Sequence, residues 1–385
     1  MHHGLYIKNF LRSLRATFAE LPSYEGKDTH VQDTPWCAAC HSRPVKGLLC
    51  CARCRTAWYC NRSCQKAHYK EHQDICLCLS KDQEHVEKLA IPLRSLRRDD
   101  DDSDDEPENV FEMQVGAFGQ QEVTLPYMNS LRSLVTSFVV AAHEADIKQV
   151  WETTLAHALE LQRLDAIGPQ DIRCMTPFML LNLNRDDDAF DFMRHWMKID
   201  DHNFDVQTTL MIRYAAVQKG QWIYPRKTNS RFLDIFQECP DANDQNVPLG
   251  FLLALLAIKC RLLATYDVTC KSIDLAFATT GGKLIQEVQS EVTKMLFNET
   301  LMNIESQREQ VERLVIMIHR NNPIMLPALL NPEPLVAKQY TWQGNSDGAS
   351  EVFFLIFHCA RCLIRVPGVR AMLEKRFGKC PSYEL

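Results

Sequence analysis

The sequence predicts a mostly all-α protein, in which a small cysteine-rich module is followed by a larger bundle of stacked helical hairpins. Three observations predict it. Apolar residues recur at helical spacing through most of residues 113–385, as in Leu131, Leu134, Val135 and Phe138. Clear period-two alternation is scarce there. Nine of the 16 cysteines lie between Cys37 and Cys78, a stretch with only eight large apolar or aromatic residues. At 46% hydrophobic and 24% charged, the chain has material for a core, which rules out a wholly disordered or collagen-like protein. Its 385 residues leave room for about two domains of about 150 residues each.

Residues 1–30 form an N-terminal segment with an amphipathic stretch, Leu5 to Leu14, ended by Leu21-Pro22. It is basic until Glu20, as a transit peptide would be, but a helix that docks on the rest of the chain or frays is the simpler reading. Lys8 interrupts the apolar run, which argues against a secretory signal. Residues 31–80 hold the cysteine cluster. Residues 81–112 begin as a helix and pass into Asp99–Glu108, which has eight acidic residues and no basic one. That run repels itself and lacks apolar anchors, so a disordered linker is expected. Ser103, followed by Asp104-Asp105-Glu106, is a candidate target for an acid-directed kinase.

Residues 113–385 read as the all-α domain. Besides the first helix, Trp151, Leu155 and Leu159, then Phe190, Met193 and Met197, then Val311, Leu314 and Ile318 fall on helical faces. Gly168-Pro169, Cys239-Pro240, Asn322-Pro323 and Gly344–Gly348 punctuate them. A short strand is expected near Val115 to Leu125, and no repeat of fixed period stands out. The longest apolar run, Leu249 to Ile258, is about half the ~20 residues a membrane span needs, so no membrane crossing is expected. The formal charge of −6 becomes +2 without the acidic run. No basic stripe of the kind that grips phosphates is evident, so no nucleic-acid partner is expected.

Fewer than 50 residues with so little apolar surface cannot outweigh their chain entropy by burial alone. Without a secretion signal a disulfide framework is disfavoured, and metal is the better staple. The half-sites are Cys37-x2-Cys40, Cys51-x2-Cys54, Cys60-x3-Cys64 and His72-x3-Cys76. Eight soft or borderline ligands make two closed tetrahedra, which suits two structural zinc ions, each contributing on the order of 10 kcal/mol to folding. Cys50, Cys78, His41 and His68 are spare candidates and are read as non-ligands. His68 and His72 share a helix face, so an exchange between them stays open on geometry alone.

Tyr59-Cys60-Asn61-Arg62-Ser63-Cys64-Gln65, then His68-Tyr69, His72 and Cys76, resembles the MYND-type zinc finger, and Cys37, Cys40, Cys51 and Cys54 complete its pattern. Tyr69 stands where the family usually has Trp. The resemblance implies interleaved pairing, with one zinc on Cys37, Cys40, Cys60 and Cys64 and the other on Cys51, Cys54, His72 and Cys76. It also implies a protein-interaction module that takes a short proline-containing peptide. Trp58, Tyr59, Gln65 and Tyr69 are the candidate peptide-binding residues, because an extended peptide favours aromatic walls. Over residues 31–80 the formal charge is +4, and thiolates with two zinc ions lower it to about +1, a poor nucleic-acid clamp.

Enzymatic relatives of this finger carry a SET methyltransferase domain, whose Asn-His-Ser-Cys and Gly-Glu-Glu-Leu type segments do not occur here. Thr280-Gly281-Gly282-Lys283 lacks the first glycine and the Ser or Thr of a phosphate loop. Cys359-x2-Cys362 sits in an apolar helical run and reads as core, and Asp186-Asp187-Asp188 reads as a helix start. The stretch Leu161 to Trp196, and Asn322-Pro323 with Leu329 to Pro332 and Ser350-Glu351, is similar to fungal MYND-containing proteins of unknown role. The expectation is therefore a non-enzymatic scaffold or adaptor in the nucleus or cytoplasm, in transcriptional regulation or cytoplasmic assembly, whose oligomeric state the sequence leaves open.

Overall fold

Phe10, Leu14 and Phe18 recur every fourth residue along helix α1 (His2–Glu20) and are buried, as a docking helix requires. Lys8 and Arg12 on its polar side pair with Asp74 and Glu144, each at 2.7 Å. The computed structural model describes residues 2–21, 31–94, 110–113, 115–199, 217–243, 246–279, 303–337 and 348–384. The acidic run with Ser103 and the Thr280–Lys283 segment lie outside them. The chain divides into two compact units.

The first unit comprises Met1–Ala16, His30–Met179 and His202–Tyr224. Its finger contains a two-stranded antiparallel ribbon, β1 (Leu49–Cys50) and β2 (Trp58–Tyr59), and the short helix α2 (Arg62–Ala67). Helix α3 (Tyr69–Arg94) starts within the finger and runs on for 26 residues, burying Ile75, Leu79, Ala90 and Leu93. The boundary expected at residue 80 therefore falls inside a helix. After α4 (Val110–Met113), α5 (Leu125–Ala145) packs along α3, and Asp146, in the left-handed conformation at φ 54°, turns the chain into α6 (Lys148–Leu164) as a helical hairpin. Leu131, Leu134, Val135 and Phe138 face inward as their spacing predicts. Helix α7 (Gln170–Asn182) follows.

The strand expected near Val115–Leu125 does not form. Gly116 has φ 85°, a 3-10 turn spans Phe118–Gln120, and only an isolated bridge joins Ala117 to Asp165. Left-handed glycine breaks the extended run, and Pro126 starts α5.

The second unit comprises Thr17–Thr29, Leu180–Asp201 and Pro225–Leu385, so the region expected as one domain from 113 onward is divided. Helix α8 (Asp186–Ile199) opens on the three aspartates, at the positive end of its dipole. An irregular stretch with α9 (Ile235–Glu238) leads to α10 (Leu249–Thr279), which packs against α8, α11 (Ile304–Asn321) and α14 (Gly348–Ile364), with α12 (Met325–Leu330), α13 (Glu333–Ala337) and α15 (Val369–Phe377) completing the bundle. By length and composition Leu249–Leu275 could cross a bilayer, but 72% of its apolar window is buried inside the protein. It is built as a core helix. Cys359 and Cys362 are both fully buried in α14, as expected of core residues.

Candidate metal centres

Two tight knuckles set up the first four sulfurs. In Cys37-x2-Cys40 the His41 N–H donates to the Cys37 carbonyl at 2.7 Å, and in Cys51-x2-Cys54 the Arg55 N–H donates to the Cys51 carbonyl at 3.0 Å. In both, the residue after the second cysteine is left-handed, His41 at φ 56° and Arg55 at φ 59°. Each costs of the order of 1 kcal/mol, which must be offset elsewhere in the module. The ribbon fixes the knuckles against each other, pairing Leu49 with Tyr59 and Cys50 with Trp58. Asn61 then caps α2, its side-chain oxygen accepting the Cys64 N–H at 3.0 Å. On α3, His72 and Cys76 lie one turn apart on one face.

These elements bring the ligands together in two groups, Cys37, Cys40, Cys60 and Cys64 in one and Cys51, Cys54, His72 and Cys76 in the other. Within each, all ligand atoms lie within 4.8 Å of one another. A tetrahedral zinc with Zn–S bonds of ~2.3 Å places its sulfurs ~3.8 Å apart. The Cys40 and Cys60 sulfurs are 3.6 Å apart, those of Cys51 and Cys76 3.8 Å, and Cys54 Sγ lies 3.4 Å from His72 Nε2. Both donor sets fit zinc, and the pairing is interleaved. Two zinc ions per chain follow, with no open coordination position.

The electrostatics agree. Burial pushes the Cys37 thiol up, but backbone N–H groups of Cys60, Cys40 and Ala39 outweigh it and bring it down to about 6. Burial lowers His72, yet hydrogen bonds with Cys51 and Cys54 raise it to about 9. Hydrogen bonds with Cys54, Cys76 and His72 hold Cys51 far below the thiol range, while hydrogen bonds with Cys51 and Cys54, and then burial, drive Cys76 far above it. Sulfurs this close cannot all ionise unless a cation sits among them, and a divalent ion meets that need.

The spare residues are accounted for individually. His68 turns its Nδ1 to the Tyr59 hydroxyl at 3.2 Å. Cys78 is buried, its sulfur 3.4 Å from Ser137 Oγ on α5. Cys50 is exposed with its sulfur toward the Cys51 carbonyl, and His41 sets its ring edge against Trp36. None joins a cluster.

The peptide-binding candidates separate. Gln65 is exposed and Tyr69 is 60% exposed. Trp58 and Tyr59 are 7% and 1% exposed, so they are interior and not open walls. The reason is local: Tyr59 carries its ring against His68 and His72, filling the space between the ribbon and α3.

Other polar clusters are paired among themselves. In the first unit, Arg163 and Glu160 form a buried pair at 2.8 Å beside a cavity of about 640 Å³, and the guanidinium also donates to the Phe111 and Val217 carbonyls. In the second, each aspartate at the start of α8 has an arginine: Asp186 with Arg261, Asp187 with Arg231, Asp188 with Arg185 and Arg226. Lys259 is fully buried, donating to the Arg231 and Leu233 carbonyls at 2.9 and 2.6 Å with the Phe190 ring 5.3 Å away.

The family model of the MYND finger matches residues 37–76, from the first ligand to the last. Modules of that family are zinc-binding, are not catalytic and mediate protein–protein contacts. No solved structure matches the chain.

Proposed function

We propose that this chain is a zinc-binding scaffold or adaptor whose finger docks a short proline-containing peptide segment of a partner protein. The observation that carries this reading is the exposed pair Gln65 and Tyr69, four residues apart across the break between α2 and α3, on a module rigidified by metal. A rigid exposed ring offers a proline-rich strand the flat apolar contact that such segments favour, at little entropic cost. Leu49 on β1 adds a second exposed apolar side chain. The helices of the first unit hold the finger, and the helical parts of the chain carry no chemistry in this reading. The setting is intracellular, nuclear or cytoplasmic, where thiols stay reduced, with transcriptional regulation as the context and a fungal source.

A purely structural finger is the second reading, favoured by the burial of Trp58 and Tyr59 and by the run of α3 into the first unit. Fluorescence anisotropy of the zinc-loaded full chain with a panel of labelled proline-containing peptides separates the two. Gln65→Ala with Tyr69→Ala should weaken binding at least tenfold while leaving two zinc ions per chain. If no peptide binds, and proximity labelling in cells returns the same partner set for wild type and Cys60→Ser, the structural reading replaces the first.

A further inference from the structure

The two clusters are alike in chemistry and unlike in placement. In the outer one Cys37 is buried, Cys40 is exposed, and Cys60 and Cys64 are half-buried; in the inner one His72 is half-buried and all three cysteines, Cys51, Cys54 and Cys76, are buried. The helices behind them differ in the same sense. Helix α2, which carries Cys64, buries none of its side chains, so its hold on the finger comes through the Cys60 and Cys64 sulfurs and the Asn61 cap. Helix α3, which carries His72 and Cys76, is packed along α5. One hydroxyl, Ser42 Oγ, lies 3.1 Å from the Cys40 sulfur and 3.0 Å from that of Cys60. It has a single proton to donate, so it serves only one of the two sulfurs at a time, and Cys40 has the Ser42 backbone N–H as a second donor.

We propose that the outer cluster is a reactive zinc–thiolate site that takes soft carbon electrophiles, while the inner cluster is closed to them. The thiolate form is the nucleophile, and zinc keeps its cysteines in that form. With a maleimide, a sulfur lone pair forms an S–C bond at one alkene carbon. The alkene electron pair moves to the neighbouring carbon beside the carbonyl, which takes a proton from water and leaves hydroxide. The thioether has lost its negative charge and binds zinc poorly, so the ion dissociates. No oxidation occurs. With its sulfur anchors gone α2 comes loose, whereas α3 stays fixed by the inner zinc and by α5, which makes the event a local opening. The inference concerns the metal and the thiols and holds whatever the finger binds.

The test uses the zinc-loaded full chain carrying Cys50→Ser and Cys380→Ser, which removes the two exposed cysteines outside the clusters. N-ethylmaleimide is added in steps, released zinc is followed with a chromogenic indicator, and adducts are mapped by peptide mass spectrometry. One zinc per chain should be released, with adducts on Cys40, Cys60 or Cys64, and the second zinc should stay bound with Cys51, Cys54 and Cys76 unmodified. Adducts reaching the inner cysteines as early as the outer ones, both ions leaving together, or no zinc released by excess reagent would each overturn the proposal.

Discussion

Two stretches of this protein have little regular structure, residues 31–61 in the finger and 225–239 in the second unit, and they are held by opposite means. The finger is closed by eight metal ligands. The other stretch is laced to α8, α10 and α11: Arg231 donates to Asp187 from backbone and side chain, the Lys227 N–H donates to Asp191 at 2.8 Å, Lys259 holds two carbonyls, and Gln307 donates to the Phe232 carbonyl at 2.8 Å. Metal concentrates the holding energy, on the order of 10 kcal/mol per ion, in a few bonds. The ion-pair lacing spreads it over many contacts of about 1 kcal/mol or less where they are half-exposed. Losing one ligand should therefore be catastrophic locally, and losing one lace tolerable, unless that lace is buried.

The largest effect tests the metal side. Cys51→Ser should lose one zinc by elemental analysis and about 10 kcal/mol of local stability, with helical signal lost on heating well before wild type. Cys50→Ser should keep both ions. An unchanged melting curve after complete chelation would sink the contrast. Next comes the one lace that burial makes strong: Asp191 is 1% exposed and pairs with Arg194 at 2.7 Å. Asp191→Asn should cost about 3 kcal/mol in denaturant unfolding, against about 1 kcal/mol or less for half-exposed Asp187→Asn. Equal costs would mean that burial is not what separates the laces.

Lys259 gives the contrast a pH dependence. Burial pulls it from the ordinary 10.5 down to about 7, with Asp234 opposing. Between pH 7 and 10 the unfolded chain then binds the proton more tightly than the folded one, so stability rises with pH in that window and this contribution is flat below it. The rise in wild type over Lys259→Met should be no more than about 1.4 kcal/mol per pH unit, read from denaturation midpoints at pH 7, 8 and 9. A difference that falls with pH would refute the buried-cation account. The smallest effect belongs to Ser42→Ala, which should keep both zinc ions but weaken the outer one about tenfold against a competing chelator.

The ligands were legible because each half-site closes within one turn, so spacing alone carries the chemistry. The same holds for the helices whose apolar faces are local patterns. What could not be read lies in pairings distant along the chain. Asp186 looks like a helix start, and its partner Arg261 is 75 residues away. Lys259 looks like the end of the Leu249–Ile258 apolar run, yet the helix continues to Thr279 with the lysine buried, because the carbonyls it serves come from residues 231 and 233. Trp58 and Tyr59 look like surface aromatics, and only the register of the two-residue ribbon with α3 behind it turns them inward.

The run of α3 past the last zinc ligand has a practical corollary for dissecting the protein. A fragment cut at residue 80 would retain all eight ligands yet sever the helix after Ser80 and remove α5, along which α3 packs and whose Ser137 lies against Cys78, while Ile75 and Leu79 on the same helix are buried in the whole protein. Gln32, just ahead of the first knuckle, exchanges backbone hydrogen bonds with Asp146 and Lys148 at the α5–α6 turn, so the other edge of the finger is stitched to the same hairpin. The smallest piece expected to behave as the finger does in the whole protein extends from about residue 31 through α6, and solubility screens of shorter pieces would report on exposed apolar helix rather than on metal binding.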